Sequence, residues 1–576
     1  MSEKTRELVR KAAILNAIKH DGKAELQSVL GNLLGDAPEL RSQARTLIPL
    51  VREVINEVNS TSVEDLRRQA LESWPDELSR EKKEEERTLP PLPNADKYKQ
   101  IVTRLAPNPD FVLHLGNARA AILSHDYARM YKGKFIVRFE DTDPRLKKAQ
   151  IGYYEKIRED LRWLQCEWDE EYIQSDRLHI YYEISSSLVK TGAAYVCECN
   201  PEHFRNLVNN SQSCPDRDLS TDLQERRWNR MLSGGYEEGQ AVLRIKTDLL
   251  HPNPAIRDWP AMRMIDTIKT PHPRVGSDFK VWPLYNLASG VDDHLLGVTH
   301  VIRGKEHLTN MARQLYLYGH LGWKYPDAVH YGRLKVEGMN LSKSRMMKAL
   351  DAGEISGIDD PRLGTLAALR RRGFLAETIR KIIWEVGPKP VDVTISWDNI
   401  DSLNRKLVDP ISHRYFLVLK PQLVKVTGLT KSYHVKLPLH PQFPDQGNRT
   451  LDVPSTDGEA TIFVADADLP TLQNKEVTRL MGLFNLSPIT TVGNQPTCRY
   501  AGESTGSGLA PIIQWVPSQS NMAGQVVLPD ATVMTGLAES GLKLEKAGAI
   551  VQLVRIGFCR VDQVTDDLIS LWFAHQ

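Results

Sequence analysis

Hydrophobic and polar residues follow two different spacing patterns along the chain. Near residue 50, apolar side chains recur every three or four positions, which predicts an amphipathic helix. The positions are Leu47, Ile48, Val51, Val54, Ile55 and Val58. Further along, short apolar runs bounded by Gly, Pro and Asp predict strands that alternate with helices. We therefore expect a small helical region before residue 80 and an α/β region after residue 98.

The segment around residue 110 predicts a strand, a loop and a helix in immediate succession. Residues 101–105 alternate like a buried strand, and Pro107 and Pro109 end it, because proline fixes φ and lacks an N–H donor. Gly116 lets the backbone approach a ligand closely, and the helix that follows presents free N–H groups that attract anions. This arrangement predicts a site for a triphosphate.

A second strand completes a strand–helix–strand unit. Gly133 stands where a helix C-cap glycine is expected, and residues 135–139 predict a strand that ends in the turn residues 140–144. Parallel crossovers of this kind are right-handed, and ligands bind beyond the carboxyl ends of their strands. Residues 106–117 and 140–143 should therefore face one crevice.

The remaining chain predicts an insert, a helical stretch and a strand-rich tail. Residues 195–260 interrupt the α/β alternation with strands of their own, and residues 346–412 predict helices. In the tail, apolar runs broken by turn residues are typical of β-barrels or sandwiches. Examples are 460–464, 512–516 and 550–554. The charged, proline-ended stretch at 79–93 predicts an exposed linker.

Composition narrows the class of protein. A chain of 576 residues exceeds one core and predicts three or four domains. The net charge is only +1, so any RNA-binding surface must be a local patch. Six cysteines do not suggest a disulfide framework, and neither a membrane-length apolar run nor a signal peptide is evident. We expect a cytoplasmic protein with reduced thiols.

Two short motifs resemble the signatures of class I aminoacyl-tRNA synthetases. His114-Leu-Gly-Asn117 is similar to the signature written HIGH, and Asn340-Leu-Ser-Lys-Ser344 to the one written KMSKS. Other segments, in order, resemble glutamyl-tRNA synthetases over roughly residues 98–576. They are Arg104-Leu-Ala-Pro, Arg138-Phe-Glu-Asp-Thr-Asp143, the stretch 291–303 and Asp360-Pro-Arg-Leu363. The run 397–406 and the β-rich tail resemble the archaeal and eukaryotic type of this family.

The resemblance implies a fold class and a division into domains. The fold is α/β, with a Rossmann-like catalytic domain, an inserted acceptor-binding domain, a helical connector, all-β anticodon-binding barrels and an N-terminal helical appendage. The expected bounds are 1–97 for the appendage and linker, 98–195 and 261–345 for the catalytic halves, 196–260 for the insert, 346–412 for the connector and 413–576 for the barrels.

The implied reaction joins glutamate to tRNA(Glu) through glutamyl-adenylate, with ATP delivered as its Mg²⁺ complex. Nucleotidyl transfer needs positioning and neutralisation of charge, so donors and cations matter most. The resemblance gives catalytic roles to His114, Asn117 and Lys343. It places ATP at Pro107, Asn108, His114, Gly116, Asn117, Ser342, Lys343 and Ser344. Two positions depart from the signatures: Asn117 and Asn340 are uncharged donors where the family pattern has histidine and lysine.

Glutamate needs two cationic clamps and one acceptor, and arginine matches a carboxylate with its planar fork. By resemblance, Arg104 faces the side-chain carboxylate, Arg303 the α-carboxylate and Glu140 the ammonium, while Tyr285 lines the pocket. Each residue also has an ordinary interpretation: Arg104 could pair with a core acid, Glu140 could be a turn residue and Tyr285 could be packing.

Several other residues carry open interpretations. Cys197, Cys199, Cys214 and Asp216 are similar to a zinc constellation of some bacterial relatives, with His203 as another candidate ligand; the alternative, which we favour, is a strand edge with small side chains. Asp292 and Asp293 suggest a metal site, but paired acids are usually solvated, and we expect that here. Candidate tRNA contacts are Arg405, Lys406 and Arg414, with His413 beside them.

Three other functions compete with glutamyl transfer. A glutaminyl-tRNA synthetase shares the fold and both signatures, although by resemblance its segment lacks the arginine found here at 303. A small-molecule nucleotidyltransferase would need only the first signature. A catalytically silent tRNA-binding protein would need neither His114 nor Lys343. The resemblance further implies a monomer and tRNA(Gln) as a second acceptor.

Overall fold

The computed structural model describes residues 3–19, 22–36, 44–74, 89–339, 341–492, 495–504 and 510–576. The chain divides into two compact units, one within residues 1–88 and one from Leu89 to Gln576. The predicted linker at 79–93 lies mostly outside the described residues.

Helices and strands are numbered in chain order. The helices are α1 Glu3–Lys19, α2 Leu26–Asp36, α3 Ala44–Asn59, α4 Val63–Ser73, α5 Leu115–Met130, α6 Ile151–Trp163, α7 Leu178–Lys190, α8 Pro201–Asn209, α9 Thr221–Leu232, α10 Tyr285–Leu295, α11 Leu308–Leu321, α12 Lys343–Asp351, α13 Leu366–Arg372, α14 Ala376–Val386, α15 Trp397–Val408 and α16 Leu469–Asn474.

Strands in the first half of the larger unit are β1 Val102–Leu105, β2 Lys134–Phe139, β3 Glu170–Ile173, β4 Ala194–Cys197, β5 Val242–Ile245, β6 Pro260–Met264, β7 Val281–Pro283, β8 His300–Gly304, β9 Asp327–Tyr331, β10 Leu334–Val336 and β11 Val393–Ile395. Those of the tail are β12 His413–Tyr415, β13 Leu417–Leu419, β14 Pro421–Thr427, β15 Tyr433–Pro438, β16 Asn448–Val453, β17 Glu459–Ala465, β18 Thr478–Leu480, β19 Asn485–Leu486, β20 Thr490–Val492, β21 Gln495–Arg499, β22 Ile512–Ile513, β23 Val516–Pro517, β24 Asn521–Val527, β25 Val533–Glu539, β26 Ile550–Leu553, β27 Gly557–Val564 and β28 Leu568–His575.

The smaller unit consists of the helices α1 to α4. The predicted apolar stripe lies on α3, where Leu47, Val51 and Val54 are fully or almost fully buried. They pack with Val9 and Ala13 of α1 in one hydrophobic cluster. The stripe therefore faces the core of this unit, as the helical spacing predicts.

A five-stranded parallel sheet forms the centre of the larger unit. Its strand order is β3-β2-β1-β8-β9, and each neighbouring pair is parallel. The order reverses between β1 and β8, because the chain returns to the other side of β1 after the insert. In sheets of this kind the ligand crevice lies outside the carboxyl ends of the strands at that reversal.

Gly133 has a different role from the predicted helix C-cap. The cap of α5 is Tyr131, and the positive φ that follows belongs to Lys132, at 51°. A Cβ atom on Gly133 would instead lie 2.1 Å from the carbonyl oxygen of Ile101. Glycine is needed here because the backbone entering β2 passes too close to the backbone entering β1 to leave room for a side chain.

The insert forms a four-stranded antiparallel sheet of β4 to β7. This sheet continues to Pro283, so the expected boundary at residue 260 falls on the start of β6. The boundary was misplaced because β6 and β7 add directly to β5, and Trp259 and Trp282 are buried in the insert's own core.

The tail from β12 onward consists mainly of strands, in sheets of seven, five, three and two members. The apolar run 512–516 forms two short strands rather than the single one predicted. Ile513 pairs with Leu480 of β18, whereas Val516 pairs with Phe463 of β17. The chain changes sheets at Trp515, whose side chain is fully buried between them. None of the helices in the described segments is long and apolar enough to cross a membrane.

Candidate active site

A cavity of about 500 Å³ opens at the carboxyl ends of the central strands. Its walls come from residues that directly follow the strands: Ala106 and Pro107 after β1, Glu140 after β2, and Gly332 after β9. The first turn of α5 lines the same cavity. The loops at 106–117 and 140–143 thus both contribute to one crevice, as the βαβ pattern predicts.

The first signature forms the start of α5. His114 is the N-cap residue, and its backbone N–H donates to Oδ1 of Asn117 over 3.1 Å. A Cβ atom on Gly116 would lie 2.8 Å from Cε1 of His114, so glycine leaves room for the imidazole ring. All three residues line the cavity together with Pro107. Asn108 does not line it, although its Oδ1 is buried without a partner among the described residues.

The start of α5 is tied to the segment around Gly364. Leu115 donates its backbone N–H to the carbonyl of Gly364, and Leu366 donates to the carbonyl of Leu113, both over 3.0 Å. The preceding motif is fixed by Asp360, which accepts hydrogen bonds from Ser356 and Arg362. The Asp360-Pro-Arg-Leu363 motif therefore supports the loop that positions His114 and its helix start.

The second signature lies beside the first, with its described polar residues outside the cavity wall. Lys343, the first residue of α12, forms an ion pair with the buried Asp110. Burial, and then the nearby charge of Lys343, lower the pKa of His114 to about 4. Leu341 lines the cavity, whereas Ser342, Lys343 and Ser344 do not. Asn340 lies outside the described residues.

All four residues expected around glutamate line the cavity: Arg104, Glu140, Tyr285 and Arg303. Arg104 also pairs with a core acid, which was its ordinary interpretation: it contacts the buried carboxylate of Asp293 from Nε at 3.1 Å and from Nη2 at 3.3 Å. Glu140 accepts a 2.9 Å hydrogen bond from Arg138, and burial raises its pKa.

Arg303 is surrounded by neutral acceptors. It is 5% exposed, and its guanidinium lies 3.3 Å from Oε1 of Gln314, 3.4 Å from the Tyr285 hydroxyl and 3.0 Å from the Tyr325 hydroxyl. No carboxylate of the described chain forms an ion pair with it. A buried cation without an anionic partner is costly, and an anionic ligand would relieve that cost.

Asp292 and Asp293 are buried, which corrects the expectation that they are solvated. Asp292 accepts hydrogen bonds from Gln174, Arg177 and Tyr181. Although burial opposes ionisation, Arg104 and Arg138 lower the pKa of Asp293 to about 2. Both acids lie on α10 and form ion pairs with Arg104, Arg138 and Arg177, so they neutralise arginines rather than face water.

Sequence reasoning missed several residues of this site. Gln314, Tyr325 and His330 contact Arg303, and His307 packs 5.5 Å from the Tyr285 ring. Burial, and next the charge of Arg303, lower the pKa of His307 and of His330 to about 4. His307 and His330 lie near the carboxyl ends of β8 and β9, which was an available signal. Gln314 and Tyr325 had none.

The cysteine cluster lies in the insert, at the end of β4. The ligand atoms of Cys197, Cys199, Cys214 and Asp216 all lie within 4.8 Å of one another. The Cys214 sulfur is 3.2 Å from that of Cys199 and 3.6 Å from that of Cys197. These values approach the separation of about 3.7 Å that Zn–S bonds of about 2.3 Å give in a tetrahedron. His203 is not a member of this group.

The three candidate tRNA contacts lie at the junction of α15 and the tail. Arg405 is exposed, donates to the carbonyl of Gln576 and lines a second cavity of about 680 Å³. Lys406 is exposed, and Arg414 pairs with Asp409 over 3.2 Å. Their neighbour His413 contacts Glu545 at 2.6 Å.

The strand order, the crevice at its reversal and the helix start that lines it define a nucleotide-binding α/β domain. Comparison with known proteins identifies the family. Residues 100–410 match the catalytic domain of class I tRNA synthetases (E and Q), and residues 412–500 and 512–562 match two anti-codon binding domains of the same class.

Whole-length relatives agree with this assignment. The chain is 47% identical to a glutamate–tRNA ligase of Pyrococcus furiosus, over 99% of each chain, and 48% identical to one of Thermococcus kodakarensis, over the full length of each. The chain belongs to the class I tRNA synthetases for E and Q. The resemblance drawn from the two signatures and the expected fold class are confirmed.

Proposed function

We propose that this chain attaches glutamate to tRNA(Glu) in two ATP-dependent steps, through glutamyl-adenylate. The α-carboxylate attacks the α-phosphorus of ATP, pyrophosphate leaves, and the acyl group passes from the adenylate to the terminal ribose of tRNA. The glutamate–tRNA ligases named above, similar over their whole length, support this choice.

The observation that carries the proposal is the charge pattern of the cavity. Arg303 offers a buried guanidinium with neutral neighbours, which suits the α-carboxylate. Arg104 lies on the adjacent strand and suits the side-chain carboxylate, while the Glu140 carboxylate suits the ammonium. A neutral glutamine side chain would leave part of this arrangement without a charged partner.

ATP would lie where the helix start of α5 faces the cavity. Gly116, His114 and Asn117 line the cavity there and can approach the phosphates, and Mg²⁺ would be held mainly by phosphate oxygens. Lys343 pairs with Asp110 on the loop between β1 and α5, and it would approach the same phosphates by leaving Asp110. Pro107, Asn108, Ser342 and Ser344 would border this nucleotide.

The test is aminoacylation with labelled glutamate and, separately, labelled glutamine, each with transcripts of tRNA(Glu) and tRNA(Gln). We expect charging with glutamate only. Glutamate on tRNA(Gln) as well as tRNA(Glu) would support the second acceptor that the family resemblance implies. Charging with glutamine would establish the glutaminyl alternative, and absence of charging and of ATP–pyrophosphate exchange, even with tRNA, would establish a silent tRNA-binding protein.

We also propose that the cysteine cluster holds one Zn²⁺ as a structural site. Two sulfur–sulfur separations near the tetrahedral value support it, and Asp216 can supply the fourth ligand from Oδ2, since Arg227 holds Oδ1 at 2.7 Å. Arg405, Lys406 and Arg414 are proposed tRNA contacts, and a single chain is the proposed working unit.

A further inference from the structure

A single buried carboxylate connects the cationic and anionic walls of the glutamate pocket. Asp293 is 1% exposed and contacts two guanidinium groups, those of Arg104 and Arg138. Its Oδ1 atom lies 3.1 Å from Nε of Arg104 and 2.7 Å from Nη1 of Arg138. Arg138 in turn donates from Nη2 to Glu140 over 2.9 Å. The carboxylate therefore bridges two like charges that would otherwise repel each other.

The contact with Arg104 also restricts which edge of the guanidinium can meet a ligand. Asp293 engages Nε and Nη2, one side of the planar fork. Nη1 is left for a group in the cavity, which Arg104 lines. An arginine side chain loses considerable rotamer freedom when it is fixed, and here Asp293 holds it before any substrate arrives.

We propose that Asp293 is a positioning residue for glutamate: it fixes Arg104 so that the free edge of its guanidinium meets the substrate carboxylate. This inference rests on the proposed function. The carboxylate itself does not line the cavity, so it acts through Arg104 and, to a smaller extent, through Arg138 and Glu140.

The neighbouring acid provides a matched control. Asp292 is equally buried and carries the same charge on the same helix. It contacts Gln174, Arg177 and Tyr181, and its nearest approach to Arg138 is 3.8 Å; it forms no ion pair with Arg104. Loss of charge is the same in Asp292→Asn and Asp293→Asn, whereas only Asp293→Asn releases Arg104.

The experiment measures steady-state aminoacylation for the wild type, Asp293→Asn, Asp292→Asn, Arg104→Ala and the double variant Arg104→Ala/Asp293→Asn. We expect Asp293→Asn to raise the KM for glutamate about tenfold to hundredfold, the range for a lost charged hydrogen bond, with the KM for ATP unchanged. Asp292→Asn should change the glutamate KM much less. In the Arg104→Ala background, Asp293→Asn should add little, because its main target is gone.

Three outcomes would overturn the inference. These are an unchanged glutamate KM in Asp293→Asn, an equal rise in Asp292→Asn, or a full additional rise in the double variant. If Asp293→Asn does not fold, Asp293→Glu keeps the charge but displaces it by one methylene, and it must still raise the glutamate KM selectively. Failure of the wild type to charge glutamate would instead contradict the proposed function.

Discussion

At the scale of single residues, Lys343 lies near the helix start of α5 and is paired with a protein carboxylate. This partner is Asp110, at one end of the loop that contains His114. We predict that Lys343→Ala lowers single-turnover adenylate formation on the order of 100-fold, equivalent to about 3 kcal/mol for one preorganised donor, while ATP affinity stays within severalfold. Lys348→Ala, on the exposed face of the same helix, is the control. Unchanged adenylation would remove Lys343 from this role.

The proximity of Lys343 to His114 predicts a pH effect. His114 is neutral at pH 7 because burial and the Lys343 charge lower its pKa to about 4. Since the unfolded chain takes up this proton first, the stability linked to His114 is present above about pH 6.5 and is lost as pH falls towards 4. We predict that Lys343→Ala, or bound ATP, raises this pKa, because either change makes the surroundings less positive. Histidine-selective NMR titration measures it, and a wild-type value near 6.5 would contradict the prediction.

Much of the site could be predicted at this scale, for a physical reason. Residues such as His114, Glu140 and Gly116 follow directly from strand ends and a helix start, where local sequence determines geometry. The partners of Arg303 could not be predicted, because Gln314 lies on α11 and Tyr325 on the loop before β9, where only the folded sheet brings them together. The prediction that Asp292 and Asp293 are solvated was wrong for the same reason. Their burial depends on three arginines that are distant in sequence.

At the scale of elements, the existence of strands and helices was easier to predict than their limits. Residues 512–516 form one short apolar run interrupted only by Gln514, yet they serve two sheets, because Ile513 pairs with β18 and Val516 pairs with β17 on either side of the buried Trp515. The end of the insert lies beyond the predicted residue 260, because β6 and β7 continue the antiparallel sheet that begins with β4 and β5. Periodicity shows that a strand is buried but does not show which sheet buries it.

The cysteine cluster at the end of β4 leads to a prediction about the zinc content of the protein. If the cysteine cluster holds Zn²⁺, purified protein should contain about one zinc per chain, because each structural site binds one ion. Cys214→Ser should lose the metal and destabilise the insert, since Cys214 lies beside both other sulfurs. Cys498→Ser, a buried thiol in the tail, is the control. Elemental analysis that finds no zinc in the wild type would leave Cys197 and Cys199 as a strand edge.

At the scale of the larger unit, a chain of contacts leads from the tail to the active site. Arg371 at the end of α13 donates to Asp562 of β27 from Nε at 3.1 Å and Nη2 at 2.9 Å, and from Nη1 to Asp359 at 2.9 Å. Its guanidinium lies 4.0 Å from the ring centroid of Trp572. Asp359 precedes the Asp360-Pro-Arg-Leu363 motif, and the carbonyl of the next residue, Gly364, accepts a hydrogen bond from the start of α5. Arg371 is therefore one of the side chains that connect the anticodon-binding region to the segment beside the start of α5.

The Arg371–Asp562 contact predicts that a change in the tail affects the loop beside the start of α5. Asp562→Asn should weaken the interaction with Arg371 by about 1 kcal/mol, because this ion pair is bidentate but partly exposed. Amide hydrogen exchange should then accelerate in residues 357–366, and tRNA charging should slow severalfold while ATP–pyrophosphate exchange changes less. Asp566→Asn, an exposed acid after β27, is the control. Unchanged exchange in residues 357–366 would contradict the prediction, because it would show that loss of the Arg371–Asp562 pair does not influence the loop that carries Gly364.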